Sequence, residues 1–206
     1  LFQPKIEATP ALDYDGSVYD YSLFSDDSYE DYLLNFPKEY PDQTITIDAT
    51  QYVSQSNTFN DEIVEVMSID NEMGLFIPET VMVTWNITVP EAGLYNIRIK
   101  YMAVSGRSAE ISKGVLINGV VPFKEAEVIS FTRIWEDSFD VESVRVEGKH
   151  DIKPSQQEKL RWAEEAIRDR AGYYQGDAYS FYFEEGVNTF TFTQNKIGRA
   201  SCRERV

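Results

Sequence analysis

The chain is nearly devoid of the residue types that most enzyme chemistry draws on. Among its 206 residues there is one cysteine, Cys202, and one histidine, His150. A lone thiol cannot close an intrachain disulfide. One histidine without a GxSxG motif or a catalytic cysteine forms no nucleophile–base pair. His150 lies in the charged turn EGKHDIKP and reads as an exposed or loop-bracing residue. Zinc is short of Cys and His ligands. No GxxxxGK[ST] loop and no GxGxxG after a strand is present, so phosphate-cradling backbone is missing as well.

Positive charge is also scarce. Nineteen Lys and Arg face 35 Asp and Glu, a formal charge of −16. That balance repels phosphate backbones and anionic surfaces, which argues against nucleic acid as a partner. No apolar run approaches the ~20 residues of a bilayer-spanning helix, and the opening LFQPKIEATP has no charged-then-apolar signal segment. With so many acids, some carboxylate pair will reach a glycosidase-like separation by chance, so no particular pair is singled out. The expectation is a protein without catalysis.

What the sequence does have is alternation. Val81, Val83, Trp85, Ile87 and Val89 alternate with Met82, Thr84, Asn86 and Thr88, Pro90 to Gly93 turn the chain, and Tyr95, Ile97, Ile99 and Tyr101 continue the apolar face. This period of two predicts a half-buried β-hairpin over Val81 to Met102, with Trp85 in the core. Asn118–Gly119, between Val115–Ile117 and Val120–Val121, predicts a two-residue turn. Tyr179 to Phe183 and Val187 to Phe192 read as a second hairpin around Gly186. Thr44 to Asp48 and Ile63 to Ile69 are further strand candidates. One helix is predicted from Ser155, where Glu158 completes a capping box and Leu160, Ala163 and Ile167 share a stripe that Gly172 ends.

Three parts follow. Residues 1–42 form an acidic, tyrosine-rich arm, in which Ser28 and Asp31 start a short helix with Tyr29, Tyr32, Leu33 and Phe36 on one face, closed by Pro37. Residues 43–196 form one β-sandwich with the helical insertion at about 154–172 and a truncated last strand. Residues 197–206, IGRASCRERV, put three arginines into an acidic chain and correspond, codon for codon, to a common sequencing adapter. They read as a processing scar. Without them the sequence has no cysteine, and the expectation is a fragment of a longer gene.

A Trp strand followed by VPEAGLY and an alternating strand, then VLINGVVPF, FTRIWED, DIKP and AYSFYFEEGVNTFTFT, resembles the galactose-binding-like carbohydrate-binding β-sandwich at the amino terminus of Gram-positive surface solute-binding proteins. Those proteins serve ABC importers, mostly for sugars. The resemblance spans roughly Tyr29 to Gln194. It implies an antiparallel jelly roll, export and anchoring at the cell surface as a lipoprotein, carbohydrate as ligand, and as partners the downstream solute-binding domain and an ABC permease. Related modules hold calcium through an IEAE segment; here it reads IDAT, leaving Asp48 as a candidate calcium ligand with Thr50 in place of the second acid.

Sugars stack their C–H faces on aromatic rings while polar groups read the hydroxyls. Arg133, Trp135 and Asp137 in FTRIWED, with Trp162 and Tyr174 from the insertion, are therefore the candidate ligand-binding residues. The alternatives remain open: Trp135 and Trp162 as packing, Arg133 paired with an acid, the chain as the accessory module of a secreted glycoside hydrolase, or a purely structural interaction module.

Overall fold

The computed structural model describes residues 25–57, 60–104, 110–139, 153–172, 174 and 176–194. His150, the arm before residue 25 and the stretch 197–206 lie outside the described residues. The protein is all-β, with one α-helix, α1 (Tyr29–Leu34), and a 3-10 turn at Lys124–Glu127 among the described residues. None of its helices there is long and apolar enough to cross a membrane.

Among the described residues, thirteen strands follow α1. They are β1 (Ser54–Ser56), β2 (Glu65–Ile69), β3 (Glu72–Phe76), β4 (Met82–Val89), β5 (Gly93–Asn96), β6 (Arg98–Met102), β7 (Glu110–Ile117), β8 (Ile129–Thr132), β9 (Trp135–Asp137), β10 (Gln156–Glu158), β11 (Trp162–Ala166), β12 (Ser180–Phe183) and β13 (Gly186–Gln194). Five of them make an antiparallel sheet in the order β1-β4-β13-β7-β8. The remainder pair as β5–β12, β6–β11, β9–β10 and β2–β3.

The expected alternation is present in β4, where Val83, Trp85, Ile87 and Val89 are all buried. Trp85 faces Phe190 across the ladder, and its indole N–H donates to the Ala49 carbonyl at 2.8 Å. On the opposite face Thr84 and Thr191 share a 2.9 Å hydroxyl bond. One cluster joins this sheet to Phe123, Ile167, Tyr179, Phe181 and Phe183. Phe123 and Phe181 are fully buried, and each such aromatic adds about 2–3 kcal/mol by leaving water.

Neither long hairpin closes on itself. β4 pairs with β13 while β5 pairs with β12, so both turns carry the chain from one ladder into another. The two crossings lie side by side, with Val89 opposite Gly186 and Gly93 opposite Phe183. Alternation marks a strand and its buried face; it does not mark the partner. The Asn118–Gly119 turn does form: Asn118 and Gly119 take φ of 51° and 81°, and Ile117 and Val120 exchange backbone bonds of 2.9 and 3.1 Å.

The helix expected after Ser155 is absent. Gln156–Glu158 and Trp162–Ala166 are strands that complete β9 and β6. A dozen residues with one apolar stripe hold a helix weakly, whereas β6 and β9 each offer a row of backbone groups to be paired. Glu158 therefore meets Arg133 instead of capping Ser155. The strand expected at Thr44–Asp48 is irregular; Ile45 still packs against the core, but Ile47 is exposed.

The short arm helix does form. Ser28 caps it by accepting from the Asp31 N–H at 3.2 Å, and Tyr29 and Tyr32 are buried. Their hydroxyls then do something that no sequence pattern announces. Tyr29 Oη accepts from Ser180 N at 2.8 Å, and Tyr32 Oη accepts from Tyr182 N at 2.7 Å. The two tyrosines, three apart on the helix, cap alternate N–H groups of β12. Phe36 stacks on Tyr182 at 4.2 Å between ring centres, and Leu94 of β5 donates to the Glu39 carbonyl at 2.8 Å. The segment from 29 to 39 thus bonds both edges of the β5–β12 ladder.

Candidate functional site

The candidate surface is the ribbon of β9 and β10. Its register sets Trp135 opposite Glu158 and Asp137 opposite Gln156. Residues directly opposite or two apart share a face of an antiparallel pair, so Trp135, Asp137, Gln156 and Glu158 stand together. Lys159 N donates to the Ile134 carbonyl at 2.7 Å, which carries the pairing one step further. Two of the expected residues, Trp135 and Asp137, therefore lie side by side on one exposed face.

Trp135 is 48% exposed, and Leu160 and Val104 are exposed as well. Asp137 accepts from the Gln156 amide. Arg133 has a different role. Its side chain is only 8% exposed and Glu158 11%, and the two form an ion pair in which Arg133 Nη1 also donates to the Val104 carbonyl. Arg133 Nε finds no protein acceptor. The guanidinium is thus a buried strut on the Trp135 side of the ribbon, tying the β8–β9 connection to β10 and to the end of β6. It braces the two segments on either side of the ribbon that carries Trp135 and is itself nearly buried.

Glu136, Gln157 and Lys159 occupy the other side of the ribbon. Glu136 is paired with Lys159, whose hydrogen bond, with the nearby charges of Lys159 and Arg161, holds the carboxyl below its ordinary range.

The structure does not bring Trp162 or Tyr174 to this face. Trp162 lies on β11, paired with β6, against the β2–β3 hairpin. Its indole N–H reaches the Ile69 carbonyl at 3.5 Å, and Lys100 Nζ sits 5.6 Å from its ring centre. A Cβ at Gly74 would stand 2.8 Å from Trp162 Cη2, so the glycine is what lets the ring lie on the hairpin. Tyr174 meets Tyr29 edge-on at 5.3 Å and donates to Glu125 Oε1 at 2.8 Å. Burial, then Glu125, pushes its hydroxyl up to about 12. Asp169, almost fully buried, accepts from the backbone N–H groups of Gly172 and Tyr174 and so positions that tyrosine.

Asp48 is the stem of an Asx turn. Its Oδ1 accepts from both Thr50 N and Thr50 Oγ1 at 2.8 Å, and these bonds hold its carboxyl below the usual range. Thr50, where the resemblance called for an acid, is thus the hydrogen-bond donor of that turn. Among the described residues, no group of three or more His, Cys, Asp or Glu is placed to hold a metal ion.

An open cleft of about 570 Å³ lies elsewhere, lined by Asn60, Asp61, Glu62, Glu65, Phe76 and Pro78 among others. Its polar groups already serve one another, Thr80 Oγ1 bonding Glu62 Oε2 at 2.9 Å. The buried Lys113 anchors two of the residues that line it. Its Nζ donates to the carbonyls of Pro78 at 2.8 Å and Glu79 at 3.1 Å, and burial pulls its pKa down to about 8 against the opposing pull of Glu79. None of the expected ligand residues lines this cleft.

Sequence reading missed Glu158 as the partner of Arg133, the edge-capping hydroxyls of Tyr29 and Tyr32, and the turn anchor Asp169. Glu158 was hidden because it also fits the third position of a capping box; the other three carry no local signal. No protein-family model, curated protein or solved structure matches this chain.

Proposed function

We infer that this chain is a non-catalytic carbohydrate-binding module, a galactose-binding-like jelly-roll sandwich. In this reading it belongs to an exported surface solute-binding protein of a Gram-positive ABC sugar importer. The observation that carries the binding role is the half-exposed ring of Trp135 on a polar two-stranded ribbon. An indole with one open face, flanked by a carboxylate and an amide, has the chemistry to stack on a pyranose and bond its hydroxyls. Arg133 and Glu158 serve by bracing the ribbon that carries that ring, which lowers the ordering cost of binding. The antiparallel all-β architecture supports the sandwich reading. The export and transport context rests on the sequence resemblance alone.

The test is a polysaccharide-retardation gel combined with tryptophan fluorescence. Soluble neutral glycans should slow the protein and perturb its emission, and Trp135→Ala should abolish both effects while leaving the circular dichroism unchanged. Unaltered mobility across the glycans would refute the reading.

A second reading is favoured by a specific observation. Arg133, Trp162 and Tyr174 are all committed to packing, as expected of a structural interaction module. Under that reading Trp135 seats a neighbouring protein domain, and a Trp135→Ala change alters association with that domain and no glycan interaction.

A further inference from the structure

Resting on the carbohydrate reading, we propose that the Trp135 face takes uncharged glycans and rejects uronate- or sulfate-bearing ones. The argument comes from where the ribbon puts its charges. On the Trp135 side stand Asp137, Gln156 and Glu158. Among the described residues of the two strands and their flanks, the cation on that side is Arg133, which is buried and bonds Glu158 and the Val104 carbonyl through Nη1. Among the described residues, two cations next to the ribbon, Lys159 and Arg161, act on the other side. Lys159 is paired with Glu136, and the charge of Arg161 acts on that same carboxylate.

A polyanion approaching Trp135 would therefore meet the Asp137 carboxylate with no exposed counter-charge beside it on the described strands of the ribbon. A neutral pyranose meets acceptors, Asp137 and Gln156, that its hydroxyls can donate to. The chain's charge of −16 adds long-range repulsion, but at physiological salt that field is screened beyond about 8 Å. Asp137, on the same face, is the local determinant.

The experiment runs the full chain through native gels containing hydroxyethylcellulose, galactomannan, polygalacturonate or dextran sulfate, each at low and at physiological salt. At least one neutral glycan should retard it at both salts, and neither polyanion should. Asp137→Lys should gain retardation by polygalacturonate that fades with salt, and Trp135→Ala should lose retardation by the neutral glycan.

Two results overturn the proposal and are told apart. Retardation of the wild type by polygalacturonate at physiological salt, lost in Trp135→Ala, sinks the charge selectivity and leaves the carbohydrate reading standing. Retardation by neither neutral glycan sinks both.

Discussion

The β5–β12 ladder and the β9–β10 ribbon are both short antiparallel pairs fed by aromatic-rich segments, yet they use their rings in opposite ways. Around β5–β12, Tyr29, Tyr32, Phe36, Phe123, Tyr179 and Tyr182 interlock at centroid distances of 4.2 to 5.2 Å. Two hydroxyls there are spent on strand N–H groups. On the ribbon, Trp135 is half-exposed and stands opposite Glu158, whose carboxylate is buried in the ion pair with Arg133. Aromatic content is therefore not the sign of a ligand platform. What separates the two is whether the ring's faces are covered and whether its polar atom already has a partner.

The largest effect should come from Arg133, because removing one member of a buried pair strands the other charge. Arg133→Leu should cost about 3–5 kcal/mol in urea unfolding. A loss under about 1 kcal/mol would mean that Arg133 is no strut and that the ribbon is freer than drawn.

Next comes the clamp. Tyr29→Phe combined with Tyr32→Phe keeps the rings but leaves Ser180 N and Tyr182 N unpaired, at about 1–3 kcal/mol for each donor that water does not reach. Hydrogen exchange at those two β12 amides should speed up in the double variant and stay slow in β13. Unchanged exchange would erase the distinction between a clamped ladder and an open ribbon.

Lys113 extends the comparison to a buried cation with carbonyl acceptors instead of a paired carboxylate. Its pKa is pulled down from 10.5 to about 8 in the folded protein. Below pH 8 both states hold the proton and the folded state bears the full desolvation cost, on the order of 3 kcal/mol by linkage. Between about 8 and 10.5 the unfolded chain binds the proton that the folded one has released, so stability gains from this group as pH rises. Subtracting the Lys113→Met curve from the wild-type curve should show that rise. A flat difference would place Lys113 in contact with solvent.

The smallest effect should be at Trp135. Trp135→Ala should shift stability by about 1 kcal/mol or less, as for surface positions, in contrast to the about 3–5 kcal/mol expected for Phe181→Ala in the buried cluster.

Legibility followed the range of the signal. The Ser28 cap, the Asn118–Gly119 turn, the inward face of β4 and the core position of Trp85 were all readable, since each depends on neighbours within a few residues. Strand partners were not. β4 and β5 read as a hairpin because turn chemistry is local, whereas the choice of β13 over β5 depends on residues about a hundred positions away. Of the five candidate ligand residues, Trp135 and Asp137 share a face because they are two apart on a strand. Trp162 and Tyr174 had been joined to them by a helix that does not form.

The sequence by itself determined an acidic chain that is poor in catalytic side chains and built of alternating strands, because composition and period two are properties of the residues and their order. Only the tertiary structure decided which strands pair, that Arg133 is buried against Glu158, and that of the three tryptophans Trp135 is the exposed one, with about half of its surface open to solvent. Those outcomes turn on competition among distant segments for the same backbone hydrogen bonds and the same apolar cover, and no local stretch of sequence carries the result.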